Sequence, residues 1–343
     1  MKTLVVQGEF IKDLFLSNNS SNDHINSLCK FLTKEFSAYN LICDFSNVND
    51  YQEASLENPI WELMLDKINE IKYVTNLDSM IKSDDLYNTI GEHNLFLTTC
   101  SSEECDNLMA DRGYLYLCIE NIELQWEIFN LCKNGYQFKV TSSTIIPESN
   151  RLNDWNKIEK FAVPFTSIII FDKYILKNKA LQKIDDNLCP LLKRLLLRQP
   201  KKKSVQITIL CDLEDRETLK EKHTLVMEAL NKAGIKNVNL NIIKYDKSLK
   251  PIQCDSIHSR FILTNYLHIS STDSFNFFQP KGKINNDSDV IFKFNLPNKN
   301  FCFFSKELND VKSYLNGINN NPNCPVEKHR ELYFSTKDNY LFN

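Results

Sequence analysis

The chain has 343 residues, 42% of them apolar, and a formal net charge of −3. That length suits two domains or one large one with a real core. So weak a charge excludes a whole-molecule attraction for nucleic acid and leaves any polyanion to a local basic patch. No apolar run reaches the length of a membrane span, and the start MKTLVVQGEFIKDLFL lacks the uninterrupted apolar region of a signal peptide. A soluble, cytoplasmic protein without a membrane partner is therefore expected.

The first half alternates strand and helix patterns. TLVVQG reads as a strand, INSLCKFLTKEFSA as a helix and YNLICDFSN as a buried strand with a polar end. PIWELMLDKINEIK reads as one helix, with Pro59 near its first turn. NLFLTTC is a strand. SSEECDNLMADRG then pairs Ser101 with Glu104 in a capping box and stops at Gly113. YLYLCIE is a strand, and IELQWEIFNLCKNG is a helix ended by Gly135. A repeating βα pattern implies an α/β layer with a mostly parallel sheet.

The polar stretch TSSTIIPESNRLNDWN breaks the pattern and divides the chain into an N-terminal α/β domain, residues 1–150, and a second domain, residues 151–343. There FTSIIIFDKYIL, SVQITILCD and VNLNIIKYD read as strands. NLCPLLKRLLL and RETLKEKHTLVMEALNKAG read as the helices between them. DSIHSRFILTNYLHISSTDSFNFF reads as a β-hairpin, followed by the strand DVIFKFNLP and a last helix, SKELNDVKSYLNGI.

The hairpin carries polar residues where an apolar strand has no use for them. His258 and Arg260 are two apart, so on a strand they share a face. An imidazole beside a guanidinium suits a phosphodiester: the first attacks phosphorus or holds a proton, and the second neutralises phosphoryl oxygens. A structural histidine at a strand start is the competing reading.

His258, Arg260 and Asn265, followed by SSTDSFN, resemble the phospholipase D superfamily motif H-x-K-x-x-x-x-D with its later small-residue turn and Asn. Arg260 stands for the Lys and Asn265 for the Asp, and Ser274 and Asn276 are nearest to the turn. The likeness runs over roughly residues 155–300, with three upstream strands in the family's order. It implies a phospholipase D-like α/β domain with a mixed central sheet. It also implies a phosphodiesterase, foremost a nuclease, that needs no metal or other cofactor. His258, Arg260 and Asn265 would be catalytic, with Ser274 and Asn276 supporting the substrate. With one motif instead of two, the resemblance implies a homodimer that brings two histidines around a two-fold axis. Arg260 exchanges a point charge for a fork, and Asn265 lacks the family's carboxylate, so Asn265→Asp is expected to keep or raise activity. These departures support the alternative, an inactive binding or adaptor protein assembling with a protein partner, in a bacterial defence system on either reading.

Other candidates are weaker. Asp172 and Lys173, with Tyr174, follow a strand and can line the same crevice; an exposed strand end is the plainer reading. Arg198–Ser204 (RQPKKKS) is the densest basic run, a backbone contact for nucleic acid or merely a solvated turn. His268 is expected on the face of His258 if the strand is uninterrupted. Asp44 and Asp50, with Glu103, Glu104, Asp106 and Asp111, are the only acids placed for a divalent-metal nuclease site, and spacing does not make them converge. Among the 11 cysteines the closest pair, Cys100 and Cys105, has no second pair to make a zinc site, so buried reduced thiols are expected.

Overall fold

The computed structural model describes residues 2–18, 22–84, 86–87, 90–177, 180–213, 218–245, 260–319, 333–334 and 339–342. The first sheet is wholly parallel. It holds β1 (Lys2–Val6), β2 (Tyr39–Cys43), β3 (Ile68–Tyr73), β4 (His93–Leu97) and β5 (Leu115–Leu117) in the order β3-β2-β1-β4-β5. β1 and β4 are buried throughout, as strands covered on both faces must be. The helix Ser102–Arg112 starts on Ser101, whose side chain accepts the Glu104 N–H. It stops at Gly113, where φ is +76°. A Cβ there would lie 2.9 Å from the Thr166 methyl, so this glycine both ends the helix and admits the second half of the chain.

The second sheet is mixed. It contains β6 (Tyr136–Val140), β7 (Ser167–Phe171), β8 (Val205–Cys211), β9 (Val238–Lys244), β10 (Arg260–Thr264) and β11 (Leu267–Ser271). A two-stranded ribbon, β12 (Phe278–Gln279) with β13 (Lys283–Ile284), stands apart from it. The strands β14 (Ser288–Phe294) and β15 (Tyr333–Phe334) complete the order β15-β9-β8-β7-β10-β11-β14-β6. β7, β8 and β9 are parallel, and β10 runs antiparallel to β7. SIIIF, VQITILC, VNLNIIK and RFILT therefore share one sheet. One face packs on the main core through Ile168, Ile170, Ile207, Ile209 and Ile262. The other packs on the long helix Asn298–Asn319 through Ile169, Phe171, Leu263, Phe304 and Leu308.

The sequence reading left the helices Gly8–Ser17 and Val48–Glu57 unread, and two strands depart from it. The helix from Pro59 ends at Leu65, and INEIKY becomes β3 on the sheet edge. Its burial alternates from Glu70 onward, and edge pairing with β2 outweighs the helical spacing. β6 precedes residue 150 yet pairs with β14. Sheet membership thus assigns it to the second layer, a long-range pairing that no local pattern announces.

The halves meet along a buried polar seam. Asn265 at the tip of the β10–β11 hairpin accepts the N–H groups of Thr166 (2.9 Å) and Ser167 (3.1 Å), and its amide donates to the Glu92 carbonyl at 2.7 Å. Tyr266 donates to the Asn94 carbonyl (2.6 Å) and accepts from Leu115 N–H (2.8 Å). His93 Nδ1 lies 2.8 Å from the Asn265 carbonyl, which fixes the proton on that nitrogen, and the ring meets Phe304 edge-on at 4.8 Å. No helix among the described residues is long and apolar enough to cross a membrane.

Burial above all, with Lys312 and Lys2 nearby, depresses His93 to about 4. An unfolded chain protonates this imidazole below about 6.5, so the unfolded state binds the extra proton between those values and stability falls on acidification through that window. Urea unfolding at pH 7 and pH 4 should show a loss of about 3 kcal/mol in the wild type beyond that of His93→Gln. Equal losses in the two proteins would show that His93 does not couple the seam to protons.

Candidate functional site

Asp172 directly follows β7, opposite the start of β10, because the register pairs Phe261 with Phe171. The Asp172 carboxylate is fully buried. Its Oδ1 accepts Tyr174 N–H at 2.9 Å, and its Oδ2 accepts Ser274 Oγ–H and Phe275 N–H, each at 2.8 Å. The turn after β11 is thus folded back onto the carboxyl end of β7. Asn276 extends the same knot, donating from Nδ2 to the Tyr174 carbonyl (2.8 Å) and to Ser274 Oγ (3.0 Å).

Arg260 opens β10 beside this knot. It is 7% exposed, and its guanidinium carbon lies 5.4 Å from the Tyr174 ring centre. Its charge reaches Asp172. Burial pushes the Asp172 carboxyl above the ordinary range, while the Tyr174 N–H, the Ser274 hydroxyl, the Phe275 N–H and Arg260 pull it down. Among the described residues two buried polar atoms of the cluster have no hydrogen-bond partner, Arg260 Nη1 and Asn276 Oδ1. Buried polar groups are ordinarily satisfied, so an unmatched donor and an unmatched acceptor at one strand edge call for an explanation.

The structure therefore brings together Arg260, Asp172, Ser274 and Asn276. His258 lies outside the described residues. Asn265 is at the other end of β10, about 17 Å away at the rise of a strand, and serves the seam. Lys173 turns to the opposite face, its ammonium 5.0 Å from the Tyr245 ring centre. His268 pairs with Leu263 in register and so takes the face opposite Arg260, because the chain reverses at Asn265–Tyr266. Its Nε2 is 2.8 Å from Glu307 Oε2 without the alignment of a hydrogen bond.

The remaining candidates are accounted for structurally. Of the basic run, Arg198 donates to Gln125 at 2.6 Å, Lys202 pairs with Asp111 and Lys203 with Glu92. The run is engaged along the seam. Asp44 accepts the Gly8 N–H at 2.7 Å, and among the described residues no three acids, histidines or cysteines are grouped to hold a metal ion. The described cysteines are free, and all but Cys302 are buried. Sequence reasoning missed Lys177, paired with Asp212 at 2.7 Å after β8, and Asn285, which donates to the Asn276 carbonyl at 2.6 Å. Neither has a local signal, since each acts on a residue brought near only by folding.

No protein-family model matches the chain, and no curated protein matches it significantly.

The geometry gives Asn265→Asp a cost in stability. A carboxylate would still accept from Thr166 and Ser167, but its second oxygen would face the Glu92 carbonyl and carboxylate, where the amide now donates. The substitution should cost about 3 kcal/mol, measured by urea unfolding, whatever its effect on activity. An unchanged stability would show that the amide is not holding the seam.

Proposed function

We propose that the chain is a divergent phospholipase D-like phosphodiesterase, a nuclease working through histidine rather than a metal ion. The supporting observation is the buried Arg260 guanidinium, whose Nη1 has no hydrogen-bond partner among the described residues, at the carboxyl end of β7 beside the knot that joins Asp172, Ser274 and Asn276. Carboxyl edges of parallel strands are where α/β sheets form ligand crevices, and a guanidinium is suited to phosphoryl oxygens.

In this reading Arg260 takes a non-bridging oxygen of the phosphodiester. His258, two residues earlier in the chain, attacks phosphorus through an imidazole nitrogen. The bond from phosphorus to the leaving oxygen breaks, and that oxygen takes a proton from His258 of a second copy. Water, giving its proton back to that second imidazole, then hydrolyses the phosphohistidine and frees a phosphomonoester. A two-fold dimer supplies the pair. The exchange at Asn265 carries no weight against this chemistry, because its side chain is committed to the seam.

One observation favours the second reading, a catalytically inactive binding or adaptor protein that assembles with a protein partner. Asp172 already opposes the Arg260 charge, and a carboxylate beside the guanidinium weakens a bound phosphoryl group.

Labelled single- and double-stranded DNA and RNA incubated in EDTA distinguish the two. Cleavage should persist in EDTA, fall about a thousandfold or more in His258→Ala and about a hundredfold in Arg260→Ala, and fall less in Arg260→Lys. Circular dichroism must show each variant folded. Binding without cleavage, weakened by Arg260→Ala, supports the second reading. Metal-dependent cleavage that survives His258→Ala overturns the first.

A further inference from the structure

The first half carries a groove of about 560 Å³ at the carboxyl ends of β1 and β2. Its walls come from three helices, Gly8–Ser17, Val48–Glu57 and Pro59–Leu65. Phe15, Leu16, Phe45, Ala54 and Trp61 make it apolar, and Glu9, Asp44 and Glu57 stand among its lining residues. Phe15 is 36% and Leu16 66% exposed. Half of the exposed large apolar side chains among the described residues lie on these helices: Phe15, Leu16, Val48, Leu56, Leu63 and Leu65. Exposed apolar surface on this scale marks a contact surface.

The charge around it is one-sided. Residues 8–17 and 44–66 contain eight carboxylates (Asp or Glu) against the single Lys12, a formal −7 in a chain whose total is −3. Lys12 itself is bound to Glu9 at 2.9 Å. We propose that this groove binds a basic amphipathic helix of a partner protein, whose apolar edge enters between Leu16 and Trp61 while its Lys and Arg side chains meet the acidic rim.

The competing occupants fit less well. A second copy would set one acidic face against another. The basic run of this chain, Arg198–Lys203, is engaged at the seam with Gln125, Asp111 and Glu92. An anionic lipid surface would be repelled.

The test is selection of random 16-residue peptides on the immobilised full chain, followed by fluorescence anisotropy of the strongest binder. Enriched peptides should carry Leu or Phe at i, i+3 or i+4, and i+7, with Lys or Arg on the remaining faces. Their affinity should weaken at least tenfold between 50 mM and 500 mM salt, and at least tenfold in Leu16→Ser and in Glu57→Lys. Both positions are exposed, and thermal melts unchanged from the wild type establish that the variants fold. The proposal is overturned by no enrichment, by enrichment of acidic or non-periodic peptides, or by equal binding to both variants. Concentration-dependent dimerisation that Leu16→Ser abolishes would give the groove to a second copy instead and overturn it too.

Discussion

The structure turns on one side-chain amide. Asn265 sits where the tip of the β10–β11 hairpin meets the start of β4, and it uses both its acceptor and its donors. The N–H groups of Thr166 and Ser167 at the entrance to β7 both donate to the Asn265 side-chain oxygen, and the Glu92 carbonyl receives the amide from the other half. Burying these backbone groups unpaired would cost several kcal/mol in sum. Buried apolar area holds the halves together, but apolar contact is non-directional. The amide, with Tyr266 and His93 beside it, fixes how the two sheets are docked.

That constraint explains what was legible in the sequence. The α/β class, the four strands of the second sheet and the hairpin were readable because each is written in local periodicity: SIIIF and VQITILC are buried runs of strand length, and Gly113 and Gly234 mark helix ends. β3 was not readable, since INEIKY continues a helical spacing and becomes a strand only by pairing with β2. β6 was hidden for the same reason, because YQFKV gains its place from β14, about 150 residues later.

The candidate site was half legible. Strand spacing placed Arg260 at the head of β10, and Asp172 fell at a strand end where crevices form. The return of Ser274 and Asn276 to Asp172 follows from the hairpin. Asn265 misled because spacing along a motif is not distance in a fold: five residues of extended chain separate it from Arg260. His268 misled for a related reason. Alternation counted through a turn loses its parity, and the tight reversal at Asn265–Tyr266 moves His268 to the face of the long C-terminal helix.

Charge is what distinguishes the surfaces of this nearly neutral chain. In the conspicuous basic run, Lys202 pairs with Asp111 and Lys203 with Glu92, so two of the lysines that looked available to a polyanion already face a carboxylate. Arg260, isolated in the sequence, has an Nη1 without a hydrogen-bond partner among the described residues, while Asp172 accepts from Ser274, Phe275 and Tyr174. Local density of charge in the sequence therefore points the wrong way. A cation becomes available to a ligand when the nearest carboxylate has satisfied its lone pairs on other donors, and that condition is set by backbone turns meeting at a strand edge rather than by composition.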